Sequence, residues 1–285
     1  MNSVNEPLLN SQGAIKKKRQ KTNKHVQKIL HVALPPIGLF IVALIGWQVI
    51  PTLLNIPSFV FPTFTVVVNS AIANVDILMQ QIAVTFKEAL VGFLLSIVIG
   101  ISLGLIMSQS KAIERSLYPY AILMQTIPVV AIAPLIVIWF GPGFWSIVIL
   151  AFVMSVFPII SNVTTGLTST DHNLLDLFHL YGVNRLERFI KLQMPFALPY
   201  VMTGLKISSG MSVIGAIVGE FVAGMGGGEG GLGYAILSAG VQLDTPYLFV
   251  CAIAAAAMGI LIFSVVNWIS YLLLGRWHDS YVSRG

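Results

Sequence analysis

Hydrophobic residues run in long unbroken blocks along most of this chain. A membrane-crossing helix needs about 20 apolar residues, and six blocks of that order fall at about 31–50, 85–108, 117–140, 145–167, 197–222 and 247–274. One stretch breaks the pattern. Over 170–195, TDHNLLDLFHLYGVNRLERFIKLQMP, polar, charged and apolar residues mix. Leu174, Leu177, Phe178 and Tyr181 recur at helical spacing and predict one apolar stripe. Gly182 follows where a helix stops by turning left-handed. Asn184 then offers an N-cap, with Glu187 three residues on as in a capping box. A second short helix carries Val183, Leu186, Phe189 and Ile190 on one side, with Arg185, Arg188 and Lys191 off it. Met194-Pro195 is expected to end it, because a residue before proline avoids helical geometry. The prediction is two short amphipathic helices about a glycine elbow, set between spans.

The connections are unequal. Residues 51–84 hold Pro51, Pro57 and Pro62 and no Lys or Arg, and their second half suits one or two amphipathic helices. Gly100 and Gly104 in the second span stand four apart, which lets a neighbouring helix approach closely. GPGF at 141–144 reads as a tight turn. The run GMGGGEGGLGY at 224–234 is glycine-rich but lacks the Lys-Ser/Thr of a phosphate-binding loop. A flexible hinge is the simpler reading of it, and an outer gate or docking site the alternative.

Composition turns the pattern into a class. The chain is 56% hydrophobic and 9% charged, where soluble domains carry about a quarter charged residues. The fold class is therefore an all-α membrane protein, with a basic tail over 1–29 and a membrane domain over 30–285. The first span is too long for a signal-peptide core, has no small-residue cleavage site after it, and is expected to stay uncleaved. Cys251 stands alone, so no internal disulfide or multi-cysteine metal site forms.

Net charge +5 suggests nucleic acid only until the charges are mapped. With the N-terminus in the cytoplasm, the tail, the 109–115 loop, the 168–195 stretch and the C-terminus lie inside. They hold seven, two, three and two Lys or Arg, fourteen of the sixteen. The outer segments 51–84, 141–144 and 223–245 hold none. The positive-inside rule thus places both termini in the cytoplasm of a plasma (inner) membrane protein. It makes anionic lipid, not nucleic acid, the partner of the basic tail.

The 170–195 stretch resembles the cytoplasmic loop of the permease subunits of type I ABC importers, the binding-protein-dependent inner-membrane components. Their pattern is E-A-A, three residues, G, nine residues, I-x-L-P. Gly182 matches the glycine, and Leu192, Met194 and Pro195 match the final pattern with the spacing kept. Asp176 takes the acidic position, while Leu177 and Phe178 replace the alanines and make this helix bulkier. Gly231-Leu232-Gly233 matches a Gly-Leu-Gly tract of the family. The pattern from Gln125 to Gly141 and the stretch from Ile56 resemble the branch that carries nitrate, sulfonate, taurine, bicarbonate and thiamine-precursor importers.

The resemblance implies a six-span permease with a helix-elbow-helix coupling loop. Its partners would be cytoplasmic ATPase subunits carrying ATP and magnesium, an extracytoplasmic solute-binding protein and a second permease copy. No cofactor, metal or catalytic residue is expected on this chain. Asp176 would make polar contacts with the ATPase, and Gly182 would permit the elbow. The cargo expected from the branch is a small anion or sulfonate, with a pyrimidine precursor as the alternative.

Polar residues inside spans are the candidates for a solute path, because charge in lipid is costly and turns toward protein or water. Glu220 leads. Lys206 lies fourteen residues away on the same span, about 21 Å at ~1.5 Å per residue, too far to pair. It snorkels to the interface instead. Lys87 and Glu88 are placed at the outer interface. Gln125, Asn162, Ser208, Ser209 and Ser212 either line a cavity or hydrogen-bond neighbouring helices. An ion-driven secondary transporter would need more intramembrane carboxylates than Glu220 supplies. An intramembrane enzyme would need a catalytic pair that the sequence lacks.

Overall fold

Every fourth residue on one face of α3 (Val75–Ser108) is small: Gly92, Ser96, Gly100 and Gly104, all buried. Opposite them on α6 (Phe144–Thr168) run Ala151, Ser155, Ile159 and Val163, also at intervals of four. The rows mesh so closely that a Cβ on Gly100 would stand 2.8 Å from Cβ of Ile159. One on Gly104 would stand 2.6 Å from Cβ of Val163. The Ser96 and Ser155 hydroxyls meet at 2.6 Å between them. Close approach of small residues, with a hydroxyl pair across the seam, is how helices associate where lipid offers no hydrophobic drive.

The other side of α6 is taken by α9 (Met194–Ala223), which packs along it by the same means. A Cβ on Gly215 would lie 2.7 Å from Cα of Ala151, and Ser208 Oγ donates to the carbonyl of Ser155. α6 is thus the axis of the bundle, with half of its most apolar window buried. Gly104→Leu should lower the unfolding midpoint of the detergent-solubilised protein, at an overpacking cost of about 1–3 kcal/mol. Gly210→Ala should leave it unchanged, since a Cβ there meets nothing within 4 Å.

The computed structural model describes residues 34–223 and 230–275. The basic tail, residues 224–229 and the terminal Arg276 and Arg284 lie outside them. Two units are distinguished, residues 1–66 and 67–285. In the first, α1 (Leu34–Leu53) is an apolar helix with nearly all its surface exposed. The segment after it folds back, with Trp47 Nε1 donating to the carbonyl of Pro62 at 2.9 Å. Phe64 stands edge-on to Trp47 at 5.6 Å.

α2 (Phe64–Ala73) is the short helix expected in the second half of 51–84. No second one follows it. Residues 75–84 form the start of α3, whose 34 residues span about 51 Å at ~1.5 Å per residue. That exceeds a hydrocarbon core of about 30 Å, so α3 tilts or projects beyond it.

The third block is not a straight helix. The apolar run 117–140 forms α4 (Lys111–Thr126) and α5 (Val129–Phe140), bent by 95°, a broken span or a re-entrant loop. The cause is local. Ile127 precedes Pro128 and is held in the extended region at φ −68°, ψ 122°, as the residue before proline prefers.

The expected stop at Met194-Pro195 is also absent. α8 (Arg185–Arg188) passes through a π turn at Phe189–Gln193 directly into α9. In that wide turn the Met194 N–H bonds the carbonyl of Phe189, five residues back. A proline ring ordinarily collides with the carbonyl four residues before it. The π turn opens that space, so the helix continues through Pro195.

The region read as an outer loop, 223–245, contains a helix, α10 (Leu232–Val241). Asp244 then caps α11 (Thr245–Leu274), accepting from the Tyr247 N–H at 3.3 Å. Among the described residues five helices are long and apolar enough to cross a membrane, six if the bent α4–α5 pair is one span.

Candidate functional site

The helix-elbow-helix loop forms as its residues dictate. α7 (His172–Leu180) starts at Asp171, whose carboxylate accepts from the Asn173 N–H at 2.9 Å. It ends at Gly182, with φ at +67°. The Gly182 N–H bonds the His179 carbonyl at 3.0 Å, and the Val183 N–H bonds the Phe178 carbonyl at 3.1 Å. That pair of bonds is the Schellman closure, which requires a left-handed residue at the glycine position. Two residues on, the Asn184 side chain accepts from the Glu187 N–H at 2.8 Å and starts α8. The Glu187 carboxylate meets Lys191 at 3.5 Å.

None of the α7 residues is buried. Leu174 is 39%, Leu177 45%, Leu180 83% and Tyr181 78% exposed, and Phe178 is half-buried. Asp176 is exposed and bonds no other described side chain. α7 is thus a small amphipathic helix whose apolar stripe is left largely uncovered by its own bundle. Leu192 is half-buried, while Met194 and Pro195 help line an apolar cavity of about 400 Å³ with Leu273 and Leu274. Those two residues stand where the loop joins α9, facing the end of α11 across that cavity.

Glu220 lies at the other end of α9, 1% exposed. Its Oε1 accepts from Thr85 Oγ1 of α3 at 2.6 Å. Its Oε2 accepts from the backbone N–H of Gly233. Thr85 Oγ1 in turn accepts from the Leu232 N–H at 2.8 Å. The Glu88 side chain, 2% exposed, lies beside Glu220. A Cβ on Gly231 or Gly233 would run into this cluster. The two glycines let the backbone of the Gly-Leu-Gly tract press against the carboxylate. Glu220 is thus the clasp that fastens the start of α10 to α3 and α9.

Glu88 is buried in the bundle beside Glu220, because α3 turns it inward one helical turn after Thr85. Leu232 and Gly233 are not a free hinge, because their N–H groups are held by the buried Thr85 and Glu220 side chains. A sequence signal for the clasp existed in Thr85 and Glu88, three apart and so on one helix face. Its partners are 135 and more residues away.

The remaining candidates are dispersed. Ser208, Ser209 and Ser212 are fully buried, their hydroxyls donating to the carbonyls of Ser155, Lys206 and Ser209. Only the Ser208 bond crosses to a neighbouring helix, α6; those of Ser209 and Ser212 stay within α9. Asn162 is half-buried and donates to the Pro158 carbonyl at 2.8 Å. Gln125 is exposed, beside the α4–α5 break. A tie that sequence reasoning missed joins α3 to α11, where Tyr247 Oη donates to Gln81 Oε1 at 2.8 Å.

The described residues thus form a bundle of apolar helices that carries an uncovered helix-elbow-helix loop. Residues 96–278 match the family described as binding-protein-dependent transport system inner membrane component. The chain belongs to that family, whose members are transport permeases and not enzymes, the ATPase being a separate subunit. It is 33% identical over 242 residues to the formylaminopyrimidine transport permease protein ThiX of Halalkalibacterium halodurans. That match covers 85% of this chain and 95% of the relative. It is also 33% identical over 266 residues to the riboflavin transport system permease protein RibX of Chloroflexus aurantiacus, covering 91% and 97%. The fold is shared with a chain of the inward-facing MetNI methionine ABC transporter at TM-score 0.58 and 17% identity. There the match covers 70% of this chain and 97% of that one.

Proposed function

We propose that this chain is one half of the membrane pore of an ATP-driven importer. Its α7 stripe docks on a cytoplasmic ATPase subunit, and its α10 side faces an extracytoplasmic binding protein. The observation that carries the reading is α7 itself, an apolar stripe with no buried residue, closed by the Gly182 elbow and joined through α8 and the π turn to α9. ATP and magnesium would sit on the ATPase subunits. Their closure would pull the α7–α8 loops of two permease copies together. α9, continuous with α8, would carry that motion to the Glu220 clasp and α10 at the far side, giving alternating access.

The orientation that fits the charge distribution puts both termini and α7–α8 in the cytoplasm. Single cysteines replacing Arg185 or Lys191 should react with an impermeant thiol reagent only in inside-out vesicles. Reaction in intact cells would sink the proposal. Asp176→Lys should weaken recovery of the ATPase with the permease; unchanged recovery would remove Asp176 from the contact.

The relatives at 33% identity are named for a formylaminopyrimidine and for riboflavin, which supports a nitrogen heterocycle as cargo. The branch pattern in Gln125–Gly141 supports a small anion or sulfonate as the second reading. Thermal shift of the cognate binding protein against pyrimidines, flavins, taurine, nitrate and bicarbonate separates them. A shift with the last three alone would overturn the heterocycle.

A further inference from the structure

α3 and α6 end near the start of α8, and between them opens a pocket of about 520 Å³ that the transport cycle above does not use. Leu105, Leu167, Leu186 and Phe189 give it apolar walls, and Arg185 and Arg188 give it charge; no acidic side chain lines it. Arg185 is held in place, its Nη2 donating to both the backbone oxygen and Oε1 of Gln109 at 3.2 Å. Arg188 is not. Its Nε is buried and has no hydrogen-bond partner, and no carboxylate among the described residues pairs with its guanidinium. The two acid–base side chains nearest in sequence, Glu187 and Lys191, satisfy each other.

A buried guanidinium N–H without an acceptor is costly. An arginine fork matches the paired oxygens of a phosphate or a carboxylate. An apolar wall beside two cations, at the level where spanning helices end, fits a molecule that is anionic at its head and hydrocarbon behind it. An ATPase carboxylate would bring the charge but nothing for Leu105, Leu167 and Phe189 to pack against, and the surface offered to the ATPase is the α7 stripe.

We propose that this pocket binds the phosphate headgroup of an anionic phospholipid from the inner leaflet, with Arg188 as its principal contact and Arg185 as the second. The site ties the coupling loop to the bilayer surface, so lipid charge sets how firmly α8 is seated under α3 and α6.

The test uses the full chain in detergent, with native mass spectrometry after addition of phosphatidylglycerol or phosphatidylcholine of matched acyl chains. Phosphatidylglycerol should be retained in preference. Arg188→Gln should cut that preference roughly five- to tenfold, the effect of about 1 kcal/mol or more per interfacial cation. Arg188→Lys, which keeps the charge, should retain most of it. If Arg188→Gln aggregates, the same measurement on Arg185→Gln decides. Equal retention of the two lipids, or an unchanged preference in the glutamine variant, overturns the proposal. So does displacement of the lipid by inorganic phosphate at comparable concentration, which would make the site one for free phosphate. Loss of ATPase recovery with lipid preference intact overturns it as well, because the arginine would then belong to the subunit contact.

Discussion

Gly182→Pro is expected to abolish solute-stimulated ATP hydrolysis in the complex reconstituted with its ATPase and binding protein, while membrane insertion is unaffected. Gly182 stands at φ +67°, and its N–H bonds the His179 carbonyl at 3.0 Å. Proline is locked near φ −65° and has no N–H, so it can satisfy neither condition. Even an ordinary L-residue in the left-handed region costs roughly 1–2 kcal/mol. The elbow would open and the α7 stripe would turn away from its docking direction. No residue of α7 is buried in the bundle, so the spans should insert and fold as before. Gly182→Asn is the control, since asparagine tolerates the left-handed region through its short polar side chain. It should keep most of the coupling. Stimulated hydrolysis at the native rate in the proline variant would mean that the elbow transmits no force.

Glu220→Ala should lower the stability of the permease markedly, with loss of uptake. The change removes the acceptor of the Gly233 N–H and of the Thr85 hydroxyl in a site that is 1% exposed. Thr85 can fall back on the Gln81 carbonyl, to which it already donates at 3.2 Å. The Gly233 N–H has no such substitute. An orphaned buried donor costs about 1–3 kcal/mol, and the cavity adds to it; about 2–4 kcal/mol in all is expected from thermal unfolding of the purified permease. Glu220→Gln keeps one acceptor oxygen and should recover a large part. A cycle with Thr85→Val should show a coupling of about 0.5–3 kcal/mol, as for side chains in one network. Additive effects would mean that the clasp is no unit.

The coupling loop was legible because all its determinants are local. Asp171, Gly182 and Asn184 act on backbone groups within five residues of themselves, so the elbow needs no distant partner. The apolar stripe of α7 follows from helical spacing alone. The spacing of Gly100 and Gly104 announced a close helix contact, though not that α6 was the partner. Where local rules failed, a neighbour had intervened. Pro195 has the right chemistry to stop a helix, and the π turn ahead of it removes the collision that would do so. The run from Leu117 to Phe140 has the apolar length of a span, yet Pro128 bends it by 95°.

By itself the sequence determined that the chain is membrane-embedded and helical, where its basic residues cluster along the chain, and where the loop after α7 bends. Hydropathy, charge placement and capping act within a turn or two of the residue concerned. Only the tertiary structure decided that Glu220 clasps the Gly-Leu-Gly tract, that Glu88 points inward, and that two arginines share a pocket under α3 and α6. Those arrangements join residues far apart in the chain, and burial and hydrogen-bond satisfaction in a packed bundle select them, which no local pattern records.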